Sequence, residues 1–210
     1  MRRWSVRESL EFYKKNGYDG VFITNHFLDG NIGIDNPDLP YDEKLRFYFA
    51  DYDEGLKICD EIGIKVFMGV ELSYLGTDFL IYGPDKDFYF RNPQIMDMKK
   101  SEELKFFKEN GALVIQAHPF REAGYIDHIR LFPRCVHGVE VINAGRTDFE
   151  NKMAQIYAEN YELILFAGSD RHSGTSPKLA GMCSDMSVKD VQDFVSRVKN
   201  REMEIFSCQI

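Results

Sequence analysis

With 210 residues, 44% of them hydrophobic and 29% charged, the chain has apolar material for one domain with a substantial core. A formal net charge of -8 argues against a phosphate-backbone binder, which carries a basic face. It leaves open a small anionic substrate, because a bound metal ion would supply local positive charge. No apolar stretch approaches the ~20 residues of a membrane span, and Met1-Arg2-Arg3-Trp4 leads into an amphipathic segment without the apolar core of a signal peptide. Cys59, Cys135, Cys183 and Cys208 lie far apart and form no C-x-x-C pair, so they read as buried, reduced thiols of a cytoplasmic protein.

The elements follow from caps and periodicity. Ser5 and Glu8 have capping-box spacing for a first helix with Val6, Leu10 and Tyr13 on one face, stopped at Asn16-Gly17. A strand ending at His26 follows, then a polar loop from Leu28 to Pro40. One long helix is predicted next, with Leu45, Tyr48, Tyr52, Leu56 and Cys59 on one face and its end at Gly63. It leads to a strand ending at Glu71. Asp78 to Tyr82 is a short apolar run that pairs locally or continues the sheet after a turn at Gly76. Ser101, Glu102 and Glu103 start a helix, since acids suit the positive end of the helix dipole, and Asn110-Gly111 ends it before the strand to His118. Val139 to Asn143 is a further strand. Thr147 and Glu150 repeat the capping-box spacing before a helix to about Asn160, which feeds the strand to Asp170. Ser187 is expected to cap a last helix with Val188, Val191, Val195 and Val198 inward, and Glu204 to Cys208 forms a terminal strand. Helices alternating with apolar strands imply βαβ units, a parallel sheet and one domain over residues 1–210.

Five of these strands run apolar and then end in a residue able to bind a metal: His26, Glu71, His118, Asn143, and Asp170 with His172. In a parallel αβ barrel the chemistry sits at the C-terminal ends of the strands. Neutral imidazole with carboxylate suits zinc, manganese or iron, and a carboxylate has two oxygens with which to bridge two ions. Asp170-x-His172 points two side chains to the same side of an extended segment. Arg121, just after His118-Pro119-Phe120, could present its fork to phosphate oxygens; Arg171 and Arg146 are weaker candidates of that kind. By period-two alternation only one of Glu140 and Asn143 can face the mouth. Asn143, nearer the strand end, is preferred as a supporting residue, and Glu140 is read as structural. His128 and His137 read as solvated or capping histidines.

Thr24-Asn25-His26, Gly69-Val70-Glu71-Leu72, Ala117-His118-Pro119-Phe120-Arg121, Gly138-Val139-Glu140-Val141-Ile142-Asn143 and Gly168-Ser169-Asp170-Arg171-His172 resemble, in order, motifs of the polymerase and histidinol phosphatase (PHP) superfamily. The resemblance implies an α/β fold, a distorted (β/α)7 TIM-like barrel. It also implies a metal-dependent phosphoesterase with up to three divalent ions (Zn, Mn or Fe) held by His26, Glu71, His118, Asp170 and His172. In that reading His26 and His172 share one ion, Glu71 bridges, His118 binds the ion across the bridge, and Asp170 completes a shared pair. Glu71, Asp170 and Arg121 are the expected catalytic residues, and Asn143 supports them. The partner implied is a small phosphorylated substrate, with no membrane, and with nucleic acid only as a nucleotide or oligonucleotide end.

The family opens on a strand ending in His-x-His, and no histidine precedes His26 here. The first barrel strand is therefore expected to be missing, leaving Val21-Phe22-Ile23 with an open edge. Either an upstream segment supplies that motif, which is the preferred reading, or the site is reduced. The alternatives are a catalytically weakened protein that binds metal or ligand, and a metal-dependent amide hydrolase.

Overall fold

The computed structural model describes residues 4–34, 36, 38–171 and 177–210. His172 and Met1 to Arg3 lie outside the described residues, so the expectations placed on them are not taken further.

Six strands form one sheet in chain order: β1 (Gly20–Ile23), β2 (Lys65–Tyr74), β3 (Thr77–Tyr82), β4 (Leu113–Ala117), β5 (Gly138–Asn143) and β6 (Ile164–Gly168). β1 pairs with β2, β4 with β5 and β5 with β6 in parallel. β3 is antiparallel to both neighbours, the local pairing allowed by its short link from β2 at Leu75-Gly76. The sheet is therefore mixed rather than wholly parallel. Among the described residues β1 and β6 are its two ends, so no closed barrel is formed.

Both faces of the sheet are buried, which is why its strands read as apolar runs. The outer face sends Met68, Val70, Leu72, Phe79, Ile81, Val114 and Val139 into a core shared with the helices. These are α2 (Tyr41–Tyr48), α4 (Lys86–Arg91), α5 (Lys100–Glu109) and α6 (Asp148–Asn160), which contribute Leu45, Tyr89, Leu104, Phe107 and Tyr157. Alternate residues face inward. Leu80, Tyr82, Leu113, Ile115 and Phe166 pack on Phe194, Val195 and Val198 of α7 (Val191–Lys199), which plugs the lower end of the inner face. The Phe22 ring centroid lies 5.0 Å from Phe67, 4.8 Å from Tyr82 and 4.5 Å from Phe194. Above this aromatic floor, residues of all six strands line one cleft of about 980 Å³.

Both expected capping boxes form. Ser5 starts α1 (Val6–Lys15) and Thr147 starts α6, each with its Glu side chain returning to the cap backbone. Other expectations are corrected. The long helix is two helices, α2 and α3 (Ala50–Ile62), broken at Phe49, whose buried ring packs on Tyr48, Tyr89 and Phe90. The break turns Gly55 to the sheet, where an added Cβ would lie 3.1 Å from Ile23 and Val66, and leaves Leu56 exposed. Asp190 rather than Ser187 caps α7; Ser187 instead accepts from Lys65 Nζ at 3.0 Å. The helix to Glu109 starts at Lys100 without a side-chain cap. A second, two-stranded antiparallel sheet joins the expected terminal strand β8 (Glu204–Gln209) to β7 (Lys178–Cys183), which the sequence pattern did not indicate. All four cysteines are free, but Cys183 and Cys208 are exposed and the other two only half-buried, against the expectation of burial. No described helix is long and apolar enough to cross a membrane.

Candidate metal centre

The first donor is brought in by backbone pairing past the end of β1. His26 forms a parallel bridge with Glu71; Phe27 N donates to Glu71 O at 2.7 Å, and Glu71 N donates to Asn25 O at 3.2 Å. Tyr48 OH fixes the Asn25 carbonyl at 2.9 Å. Glu71 is then flanked by two imidazoles. Its Oε2 lies 3.6 Å from His26 Nδ1 and its Oε1 3.5 Å from His118 Nε2. His118 Nε2 also lies 3.8 Å from Asp78 Oδ2 and 3.9 Å from Asp170 Oδ2. Four of the sequence-predicted residues, His26, Glu71, His118 and Asp170, thus meet at one end of the sheet. Donor atoms of His26, Glu71 and Asp78 all lie within 4.8 Å of one another.

Two carboxylates join that were not assigned to the site. Asp78 opens β3, and because β3 runs antiparallel its first residues sit level with the last residues of β2 and β4: Ser73 and Ala117 are its partners in register. A search for residues at strand C-termini passes over it; the turn at Gly76 followed by Asp78 was the available signal. Glu140 is the second. The alternation rule predicted that it and Asn143 face opposite ways, but a register shift between Glu140 and Ile142 adds a residue to β5. Both then face the site, where Asn143 Nδ2 donates to Glu140 Oε2 at 2.9 Å and to Asp170 Oδ2 at 3.2 Å. Asn143 is itself held on α6 by exchanged hydrogen bonds with Asn151. Gly168 makes room, since a Cβ there would stand 2.5 Å from Glu140 Oε1.

His118 and Asp170 adopt left-handed backbone, with φ of +24° and +42°. Non-glycine residues there carry strain that the surroundings must support, and such strain gathers at functional sites. For His118 part of the support is the hydrogen bond from its N–H to Glu140 Oε2 at 3.0 Å. Burial works against protonation of the His118 ring, but the adjacent Glu71 carboxylate and the charges of Glu140 and Asp170 outweigh it and hold the pKa up at about 9. Burial pushes the Glu140 carboxyl up to about 7, with His118 opposing and Asp170 assisting.

The set fits a divalent cation. Separations of 3.5–3.9 Å are long for direct N–H···O bonds. Two donors each ~2.1 Å from one ion at a tetrahedral angle stand about 3.4 Å apart. Asp78 Oδ2 is buried and accepts no hydrogen bond. Arg121 Nη2 approaches that oxygen to 3.1 Å while donating to Gly76 O at 3.2 Å. The predicted phosphate clamp thus rests against Asp78. His128 is exposed beside Asp127, and His137 Nδ1 accepts from Val114 N at 3.1 Å, in line with the solvated or capping role expected of each.

No family model matches the chain, and no curated protein does. Solved structures do. A two-domain protein of Bacteroides vulgatus containing a predicted PHP-like metal-dependent phosphoesterase superposes with a TM-score of 0.66 at 15% identity over 96% of this chain. PsfC of Pseudomonas syringae gives 0.58 at 17% identity, with 97% of this chain and 82% of that one covered. The chain has a PHP-like fold. A Bifidobacterium adolescentis protein, assigned by inference as a metal-dependent phosphoesterase, gives 0.54 at 15% identity over 82% of this chain and 84% of its own. This PHP-like chain spans 59% of the length of the Bacteroides protein.

Proposed function

We propose that the chain is a PHP-type, metal-dependent phosphoesterase acting on a small phosphate ester or nucleotide. The observation that carries this reading is the convergence of His26, Glu71, Asp78, His118 and Asp170 from separate segments onto one cluster, with donor spacings that fit a shared cation. Glu71, with one oxygen towards each imidazole, has the disposition of a bridging carboxylate. When bound, divalent ions of this kind lower the pKa of water towards ~7 and polarise phosphoryl oxygens.

The chain's own residues do the rest. Asn143 orients Glu140 and Asp170, and Glu140 fixes the His118 backbone in its strained conformation. Arg121 lies against Asp78, and its planar fork can pair with phosphoryl oxygens once it turns from that carboxylate. Zinc, manganese and iron all suit the donor set, with up to three ions, and the setting proposed is cytoplasmic. A non-catalytic metal- or ligand-binding role is the second reading. The Arg121–Asp78 contact favours it, because that contact engages an arginine and a carboxylate with each other.

The test is phosphatase activity with Mn²⁺ or Zn²⁺ in the wild type, His118→Ala and Asp170→Ala, alongside metal content. Loss of activity in both variants, with metal bound by the wild type, is expected. Full activity in both overturns the reading, and bound metal without turnover of any phosphoester selects the non-catalytic one.

A further inference from the structure

Arg171 follows Asp170 directly but makes no use of the carboxylate cluster. Its guanidinium lies over the Phe12 ring at 4.3 Å and the Trp4 ring at 5.4 Å, on the α1 side of the cleft. It lines that cleft together with Trp4, Ser9, Tyr13 and Ser169. Its Nε and Nη1 are buried and have no hydrogen-bond partner, and among the described residues no carboxylate lies within ion-pair distance of it. Most other arginines are used differently. Arg197 Nε donates to Asp193 at 2.8 Å and its Nη1 to Met186 O at 2.9 Å. Arg7 pairs both terminal nitrogens with Glu61.

A guanidinium is always charged and carries donors only. Rings against its face attract the cation and fix its plane, yet they accept nothing from the in-plane N–H groups. Buried charged donors without an acceptor are costly, and an anion entering from the cleft removes that cost. Such a group is also the natural counterweight in a cleft that is lined by Glu71, Glu140 and Asp170 as well.

We propose that Arg171 is a second anion-binding point of the cleft, holding a phosphate or carboxylate that the substrate carries in addition to its ester phosphate. This rests on the phosphoesterase reading for the identity of the ligand as a substrate, but not for the anion site itself.

The experiment is isothermal titration with Mn²⁺ present. The probes are propyl phosphate, propane-1,3-diyl bisphosphate and 3-(phosphonooxy)propanoate, with two- and four-carbon analogues to vary reach. At the best length a probe with two anionic groups binds wild type about tenfold or more tightly than propyl phosphate, which has one. Arg171→Met collapses that ratio towards one and leaves propyl phosphate within about twofold, while Arg171→Lys, which keeps the charge but not the fork, falls between. Whether the bisphosphate or the carboxylate probe gains more identifies the second group. The proposal is overturned if wild type shows no preference at any length. It is equally overturned if Arg171→Met, folded by its melting curve, weakens propyl phosphate as much as the bisphosphate. A preserved preference with no hydrolysis of any probe defeats the phosphoesterase reading alone.

Discussion

The two faces of the six-stranded sheet are built from the same strands and solve opposite problems. On the outer face Phe79, Ile81, Val114 and Val139 are fully buried under helices, and the polar side chain beside them, Gln116, is hydrogen-bonded to Arg130 O, Phe132 N and Tyr157 OH. On the inner face Phe67, Leu80, Tyr82 and Phe166 begin the same way, but two to four residues away the same segments carry Glu71, Asp78 and Asp170, and β5 adds Glu140. Close packing makes the outer face a stability element. The inner mouth concentrates buried acids and backbone strain, which cost folding free energy and suit a bound cation.

That contrast can be broken by substitution. Phe79→Ala, at a fully buried outer position, is expected to cost about 3–5 kcal/mol in denaturant unfolding while leaving metal affinity per folded molecule unchanged. His118→Ala should do the reverse, abolishing metal-dependent turnover with a far smaller change in unfolding midpoint. Equal destabilisation by the two would erase the distinction between the faces.

Gly168→Ala sharpens it. The new Cβ would meet Glu140 Oε1 at 2.5 Å, so the carboxylate must move and with it the Asn143 and His118 contacts. Disturbing the partners that orient metal ligands costs about 10–100-fold in metal affinity. Equilibrium dialysis with Mn²⁺ measures this, and unchanged affinity would remove Glu140 from the site. At the start of α6, Thr147→Ala removes the cap and should cost about 1 kcal/mol, with a far smaller effect on metal binding than Gly168→Ala.

How far the sequence spoke depends on how local each signal is. Ser5 with Glu8 and Thr147 with Glu150 are complete within four residues, and both capping boxes form. His26, Glu71 and His118 were legible because each follows an apolar run, although β2 continues past Glu71 to Tyr74 rather than ending there. Asp78 was not, because its place depends on β3 running antiparallel between two other strands. Glu140 was misassigned because a bulge, which depends on pairing between β5 and β6, resets the alternation. The break at Phe49 has the same origin, since it answers to aromatic packing against α4 rather than to helix propensity.

The smallest effect concerns His137, which serves the outer layer from a loop. Its Nδ1 accepts from Val114 N at 3.1 Å, so the ring is neutral where it sits. Burial, with Lys108 and Lys199 assisting, pulls its pKa from 6.5 down to about 4. The unfolded chain therefore binds a proton that the folded one refuses across this window, and stability from this residue falls as pH drops from about 6.5 to about 4. Glu103 works in the opposite sense. Burial, with Asp29 assisting and Lys100 opposing, raises its carboxyl to about 7, so its contribution is lost as pH rises through that value. The total pH profile thus mixes the two, and only a difference isolates the histidine. His137→Asn keeps an acceptor for Val114 and cannot titrate. Its unfolding free energy should fall less than that of wild type between pH 6.5 and 4.5 and run parallel to it above pH 7.5. A constant offset at every pH would mean that the imidazole contributes only by packing.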